Sequence, residues 1–146
     1  MAFLDKQTRL GSAQAFSASG ATTDYYDASS ARNLGDGEPM ALVFTVTTGA
    51  DYTTTDETYT FALQCDDNTG FSTPLTCESR TVSAASSGLV AGTQVVLPIP
   101  TGLVEQYVRG YLTLGGTTPS ISVTTDIVPM SFVRKPKDYP SSFTVY

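Results

Sequence analysis

The side chains that could do chemistry in this chain are few. There is no histidine among its 146 residues. That removes the commonest general base and the commonest metal ligand. Ser–His–Asp and Cys–His arrangements cannot be built from this chain. The two cysteines, Cys65 and Cys77, are too few for a zinc site without histidine. They could form one disulfide, but a cytosolic product is normally reduced. Free thiols acting as small core hydrophobes are the favoured reading. Neither GxGxxG nor GxxxxGK[ST] occurs, so no phosphate-cradling loop is expected.

Carboxylates remain. Asp66, Asp67, Asn68 and Glu78 could gather oxygen ligands around calcium. Their spacing does not match an EF-hand loop, and a solvated Asx-rich turn is the simpler reading. A carboxylate-only glycosidase needs two acids facing across a cleft. Fourteen acidic residues always offer such pairs, so their presence discriminates nothing. The chain also lacks Trp, which weakens a sugar-stacking reading. No enzyme activity and no cofactor or metal are expected.

Tyr107, Arg109 and Tyr111 alternate, so a strand would place them on one face. Tyr and Arg are enriched at interface hot spots. The blander alternative is an Arg stem packed between rings on a solvated face. A second aromatic set lies in the final segment: Phe132, Tyr139, Phe143 and Tyr146, with Arg134 among them. These eight residues are the candidate protein-contact positions.

Composition tells which elements must position these residues. Thr and Ser are abundant, Val and Gly common, Lys and Glu scarce. Such β-branched and aromatic content favours strands. Met40–Thr47 places Met40, Leu42, Phe44 and Val46 on one face. Thr58–Cys65 does the same with Tyr59, Phe61, Leu63 and Cys65. Further strands are expected at Thr22–Ala28, Ser79–Ala84, Thr93–Ile99, Gln106–Leu114 and Ile121–Ile127. Turns are expected at Gly35–Pro39 and Asp66–Gly70, and Gly115-Gly116 suits a hairpin. A short helical turn near Leu103–Tyr107 is discounted. About seven or eight strands with turns between them indicate an all-β sandwich or barrel.

The two ends differ from the middle. Residues 1–21 are mostly small and polar, with scattered Phe3, Leu4, Leu10 and Phe16, and an N-terminal arm is expected there. Residues 128–146 carry Pro129, Pro136 and Pro140 and should be extended. A tail this aromatic should dock, either on its own sandwich or on a neighbouring chain. The expected organisation is therefore a sandwich with its arm over 1–127 and a tail over 128–146.

Net charge is −6, and the one basic cluster is Arg134-Lys135-Pro136-Lys137. Nucleic-acid binding needs a clustered basic face and is not expected. An acidic balance also disfavours anionic membranes, and no run of about 18 apolar residues could span one. The start, Met1-Ala2-Phe3-Leu4-Asp5-Lys6, lacks a signal-peptide shape, so synthesis in the cytoplasm without export by that route is expected.

Several segments, in order, resemble the capsid cement (decoration) family typified by the Bordetella-phage cement protein. They are Ser12-Ala13-Gln14-Ala15, Gly35-Asp36-Gly37-Glu38-Pro39-Met40 and Asp66-Asp67 followed by Phe71-Ser72-Thr73-Pro74. Leu89-Val90-Ala91-Gly92, Val96-Leu97-Pro98-Ile99-Pro100 and Tyr107-Val108-Arg109 leading to Gly115-Gly116-Thr117-Thr118 complete the set. They span roughly residues 12–118, and their order carries more than any one of them.

The resemblance implies a jelly-roll-like antiparallel β-sandwich with extended terminal segments, bound to the outside of an icosahedral shell. It implies the major capsid protein as partner and a homo-oligomer, with a dimer favoured over a trimer. It offers no catalytic residues. Rival expectations are a receptor- or carbohydrate-binding sandwich of a virion, a carboxylate-only hydrolase or lyase, and a major capsid subunit. The chain is short for the last of these.

Overall fold

The computed structural model describes residues 8–28, 39–83, 89–100 and 105–130, and nine strands form among them. In chain order these are β1 (Arg9–Phe16), β2 (Gly20–Ala21), β3 (Tyr26–Asp27), β4 (Met40–Thr48), β5 (Thr58–Asp66), β6 (Leu75–Ser83), β7 (Gln94–Pro98), β8 (Tyr107–Gly115) and β9 (Ile121–Pro129). One sheet has the order β1-β9-β4-β7, and the other β2-β8-β5-β6 with β3 also on β8. Every pairing is antiparallel.

β2 and β3 pair with the same strand, so they act as one interrupted strand. Counted so, the first strand pairs with the last and the second with the next to last. The third pairs with the sixth and the fourth with the fifth. That is one long hairpin folded over itself, which is the jelly roll. The expected fold class holds.

The inner faces meet as the period-two pattern requires. Leu42, Phe44 and Val46 from β4 face Tyr59, Phe61 and Leu63 from β5 within one buried cluster. Phe44 and Phe61 touch across the sheets with ring centroids 5.1 Å apart. Tyr59 is fully buried, and its hydroxyl donates to the Asp51 carbonyl at 2.6 Å. A smaller cluster, Ala41, Val43, Val96 and Val128, lies on the other face of the β4 sheet, with Met130 packed against it.

Five expectations change in detail. Residues 9–16 are not an arm but β1, whose Leu10 and Phe16 enter the core. Arg9 ties β1 to β9, its Nε 2.8 Å from Asp126 Oδ1 and its Nη2 3.4 Å from Oδ2. The strand expected at Thr22–Ala28 is largely loop. Thr22 donates its N–H to the Gly110 carbonyl, but only Tyr26–Asp27 forms a ladder there. β6 begins at Leu75, four residues before the expected Ser79.

Gly115-Gly116 does not close a hairpin. β8 and β9 belong to different sheets, so the connection crosses between them. The expected boundary between 127 and 128 falls inside β9, where Val128 pairs with Ala41 and Pro129 with Met40. Among the described residues there is no α-helix, and Tyr107 opens β8. The turn expected at Gly35–Pro39 lies, except for Pro39, outside the described residues.

Candidate functional site

β8 sends Val108, Gly110 and Leu112 inward and leaves Tyr107, Arg109 and Tyr111 half-buried on the outer face of its sheet. The three expected residues therefore share one surface. Gly110 lets this strand lie close to the core, because a Cβ there would stand 2.9 Å from both Phe44 Cζ and Thr22 Cγ2.

The surface is completed from outside β8. The 67–74 loop between β5 and β6 folds back and places Phe71 against the sheet. The Arg109 guanidinium carbon lies 4.2 Å from the Phe71 ring centroid and 5.5 Å from that of Tyr111. Its Nε donates to Gln64 Oε1 at 2.9 Å. Tyr25 packs edge-on to Tyr107 at 5.4 Å and tilted against Phe71 at 6.1 Å. Partial burial lowers the Arg109 pKa, and the charges of Tyr111 and Asp66 oppose that shift. The guanidinium stays protonated, since arginine titrates far above neutral pH. Among the described residues its two Nη groups have no acceptor. The result is a planar cation stacked on rings and held by one bond through Nε.

The acidic run at the same end serves the loop. Asp66 is buried and its Oδ2 accepts the Thr73 N–H at 3.0 Å. Burial pushes its pKa up, but hydrogen bonds from Thr73 and then from Asp67 and Asn68 outweigh it, so the net shift is downward. Asn68 Oδ1 accepts the Gly70 N–H at 2.7 Å, an Asx turn. Glu78 lies on β6, where its Oε1 accepts the N–H of Ser79. Among the described residues no three carboxylates or thiols converge as metal ligands would.

Cys65 is a buried free thiol and Cys77 a half-buried one. Burial raises both pKa values. Phe132, Arg134, Tyr139, Phe143 and Tyr146 lie outside the described residues. The tail begins on its own sandwich, since Met130 donates its N–H to the Pro39 carbonyl and packs on the outer cluster of the β4 sheet.

Sequence reasoning missed three members of this surface: Tyr25, Gln64 and Phe71. Gln64 was legible in principle, because it lies on the same face of β5 that Arg109 occupies on β8 and pairs with it in register. Phe71 was not, for it sits in a loop with left-handed backbone, φ 48°. Nothing local announces where such a loop will fold.

The profile of a family described as Bbp16 matches residues 10–127. That span contains the ordered segments from 12 to 118 and the whole surface just described. A search of curated proteins gave no match.

Proposed function

The chain belongs to the Bbp16 family, a family of Bordetella-phage proteins, and on that premise we propose that it is a structural virion protein of the capsid exterior. It binds the outer surface of an icosahedral shell and cements neighbouring major capsid subunits, acting without catalysis. The observation that carries this reading is the Arg109 surface. A guanidinium on an aromatic bed, its Nη groups without an acceptor among the described residues, suits a carboxylate or carbonyl on a protein partner.

A filled shell is strained at the contacts between capsomers. A protein that binds the closed arrangement better stabilises it by mass action. An interface of ordinary size buries about 800 Å² on each side. Modest affinity per copy suffices, because many copies act on one shell and a dimer engages two sites. The absence of histidine supports a non-catalytic role.

The test adds the purified chain to particles that lack it. The expected outcome is binding at a copy number comparable to the capsid protein, with genome released at a higher temperature. Arg109→Ala and Phe71→Ala should each weaken binding at least tenfold, the scale of a hot spot. Binding at a few sites per particle would instead fit a receptor- or carbohydrate-binding module. Unchanged heat stability would overturn the cementing role.

A further inference from the structure

Cys65 and Cys77 lie 12 residues apart in the chain, on the adjacent strands β5 and β6. The register between these strands shifts near the end that adjoins the 67–74 loop. Leu63 faces Glu78, Gln64 faces Thr76, and Cys77 is the extra residue between them. Such a bulge re-aims a side chain. Here it turns Cys77 toward the core cluster, against which it packs, and toward Cys65 within that cluster. The two Sγ atoms lie 2.7 Å apart, and each is 3.6 Å from the Leu75 carbonyl oxygen. A movement of roughly 0.7 Å would bring them to the bonded distance of about 2.0 Å.

We propose that Cys65 and Cys77 join as an intrachain disulfide when the protein passes from a reducing cytoplasm to an oxidising exterior. A phage protein makes that passage at lysis, whatever its place on the particle. The inference rests on the geometry of two strands and on the family, not on the cementing role. The bond closes the base of the loop that carries Phe71 to Arg109. It therefore fixes, outside the cell, the loop from which the candidate contact surface is completed.

The chemistry needs a small-molecule disulfide, RSSR, as oxidant. Cys77 is the more accessible sulfur. Its thiolate attacks RSSR, forming a Cys77–SR mixed disulfide and releasing RS⁻. The Cys65 thiolate then attacks the Cys77 sulfur and expels the second RS⁻. Two protons leave the cysteines and end on the two RSH products. The protein is oxidised by two electrons, and RSSR is reduced. Burial keeps both thiolates scarce, so the exchange is slow and suits a long-lived particle better than a short cytoplasmic stay.

The experiment incubates the full-length protein with oxidised glutathione. Intact mass should fall by two hydrogen atoms, and peptide mapping should join the Cys65 and Cys77 peptides of one chain. The midpoint of thermal unfolding should rise on the order of 5–10 °C and fall back with dithiothreitol. Cys77→Ser should abolish the response, and Cys65→Ala should do so independently if the first variant folds poorly. Persistent free thiols, a stable glutathione adduct or a bond between two chains would each overturn the proposal. An intrachain bond with no rise in the midpoint would overturn its role as a staple. None of these outcomes bears on capsid binding, which is measured separately.

Discussion

β5 joins two ends of the sandwich that treat charge in opposite ways. Beyond Asp66, the Arg109 cation lies on aromatic rings, with one hydrogen bond, through Nε, among the described residues. Before Thr58, carboxylates are tied down by their own loop. Asp56 Oδ1 accepts the Thr54 hydroxyl at 2.7 Å and the Thr117 N–H at 3.0 Å, and its Oδ2 accepts the Thr117 hydroxyl at 2.9 Å. Asp51 accepts the N–H and hydroxyl of Thr53. Glu57, shut off from solvent, accepts the N–H and hydroxyl of Thr54 through Oε1, while its Oε2 has no partner among the described residues. The acidic end spends its polar groups on holding the β4–β5 loop against the β8–β9 connection. The aromatic end holds one cation by packing. At one end hydrogen bonds within the chain hold the carboxylates, Glu57 Oε2 excepted, and at the other ring packing and one bond hold the cation.

The comparison breaks most readily at Gly116. Its φ of 90° is left-handed, and a Cβ there would stand 2.4 Å from the Asp56 carbonyl oxygen. Gly116→Ala should cost about 2–4 kcal/mol in denaturant unfolding, by strain and overpacking together. A loss under about 1 kcal/mol would mean that the connection relaxes freely and that the acidic end is not rigid. At the other end, Phe71→Ala removes the ring beneath Arg109. We expect a loss of about 1–2 kcal/mol in stability and a larger proportional loss of particle binding. Equal losses at both ends in binding would erase the functional distinction between them.

Arg109→Lys sharpens the comparison at smaller cost. Lysine keeps the charge but loses the planar stack and the bond to Gln64, so stability should fall by about 0.5–1 kcal/mol. Binding should fall with it, and full binding by the Lys variant would show that charge alone matters.

Acid gives the smallest effect at neutral pH. Asp51 and Asp56 are held below the usual value of 3.8 chiefly by the Thr53 and Thr54 hydroxyls. Glu57 is pushed up by burial, but bonds from Thr54 and the local backbone more than offset this and hold it below 4.5. A carboxylate with a lowered folded pKa contributes its full stability above its unfolded value. That contribution is lost as pH falls through the folded value. The unfolding midpoint should therefore be flat from neutrality to about pH 5 and drop below about pH 4. Asp56→Asn should blunt that drop, and an unchanged acid limb would show that the acidic end contributes little to it.

Much of the scaffold was legible because its reasons are local. Leu42, Phe44 and Val46, or Tyr59, Phe61 and Leu63, announce a half-buried strand wherever they occur. The Asx turn at Asn68 follows from side-chain chemistry two residues long. β1 was not legible. Arg9–Phe16 has little alternation, and its strand exists because β9 offers a ladder and Asp126 offers Arg9 a partner. The Gly115-Gly116 turn was legible as a turn but not as a crossover. The same local geometry serves both, and only the location of β9 distinguishes them.

The surface divides in the same way. Alternation along one strand determined that Tyr107, Arg109 and Tyr111 share a face, since side chains repeat every two residues. The missing histidine determined which chemistries this chain cannot perform on its own. What lies over Arg109 was decided by tertiary structure alone. Phe71 is 38 residues from it in the chain and Tyr25 is 84 residues away. Loop direction depends on the packing of the finished sheets, which no short stretch of sequence encodes.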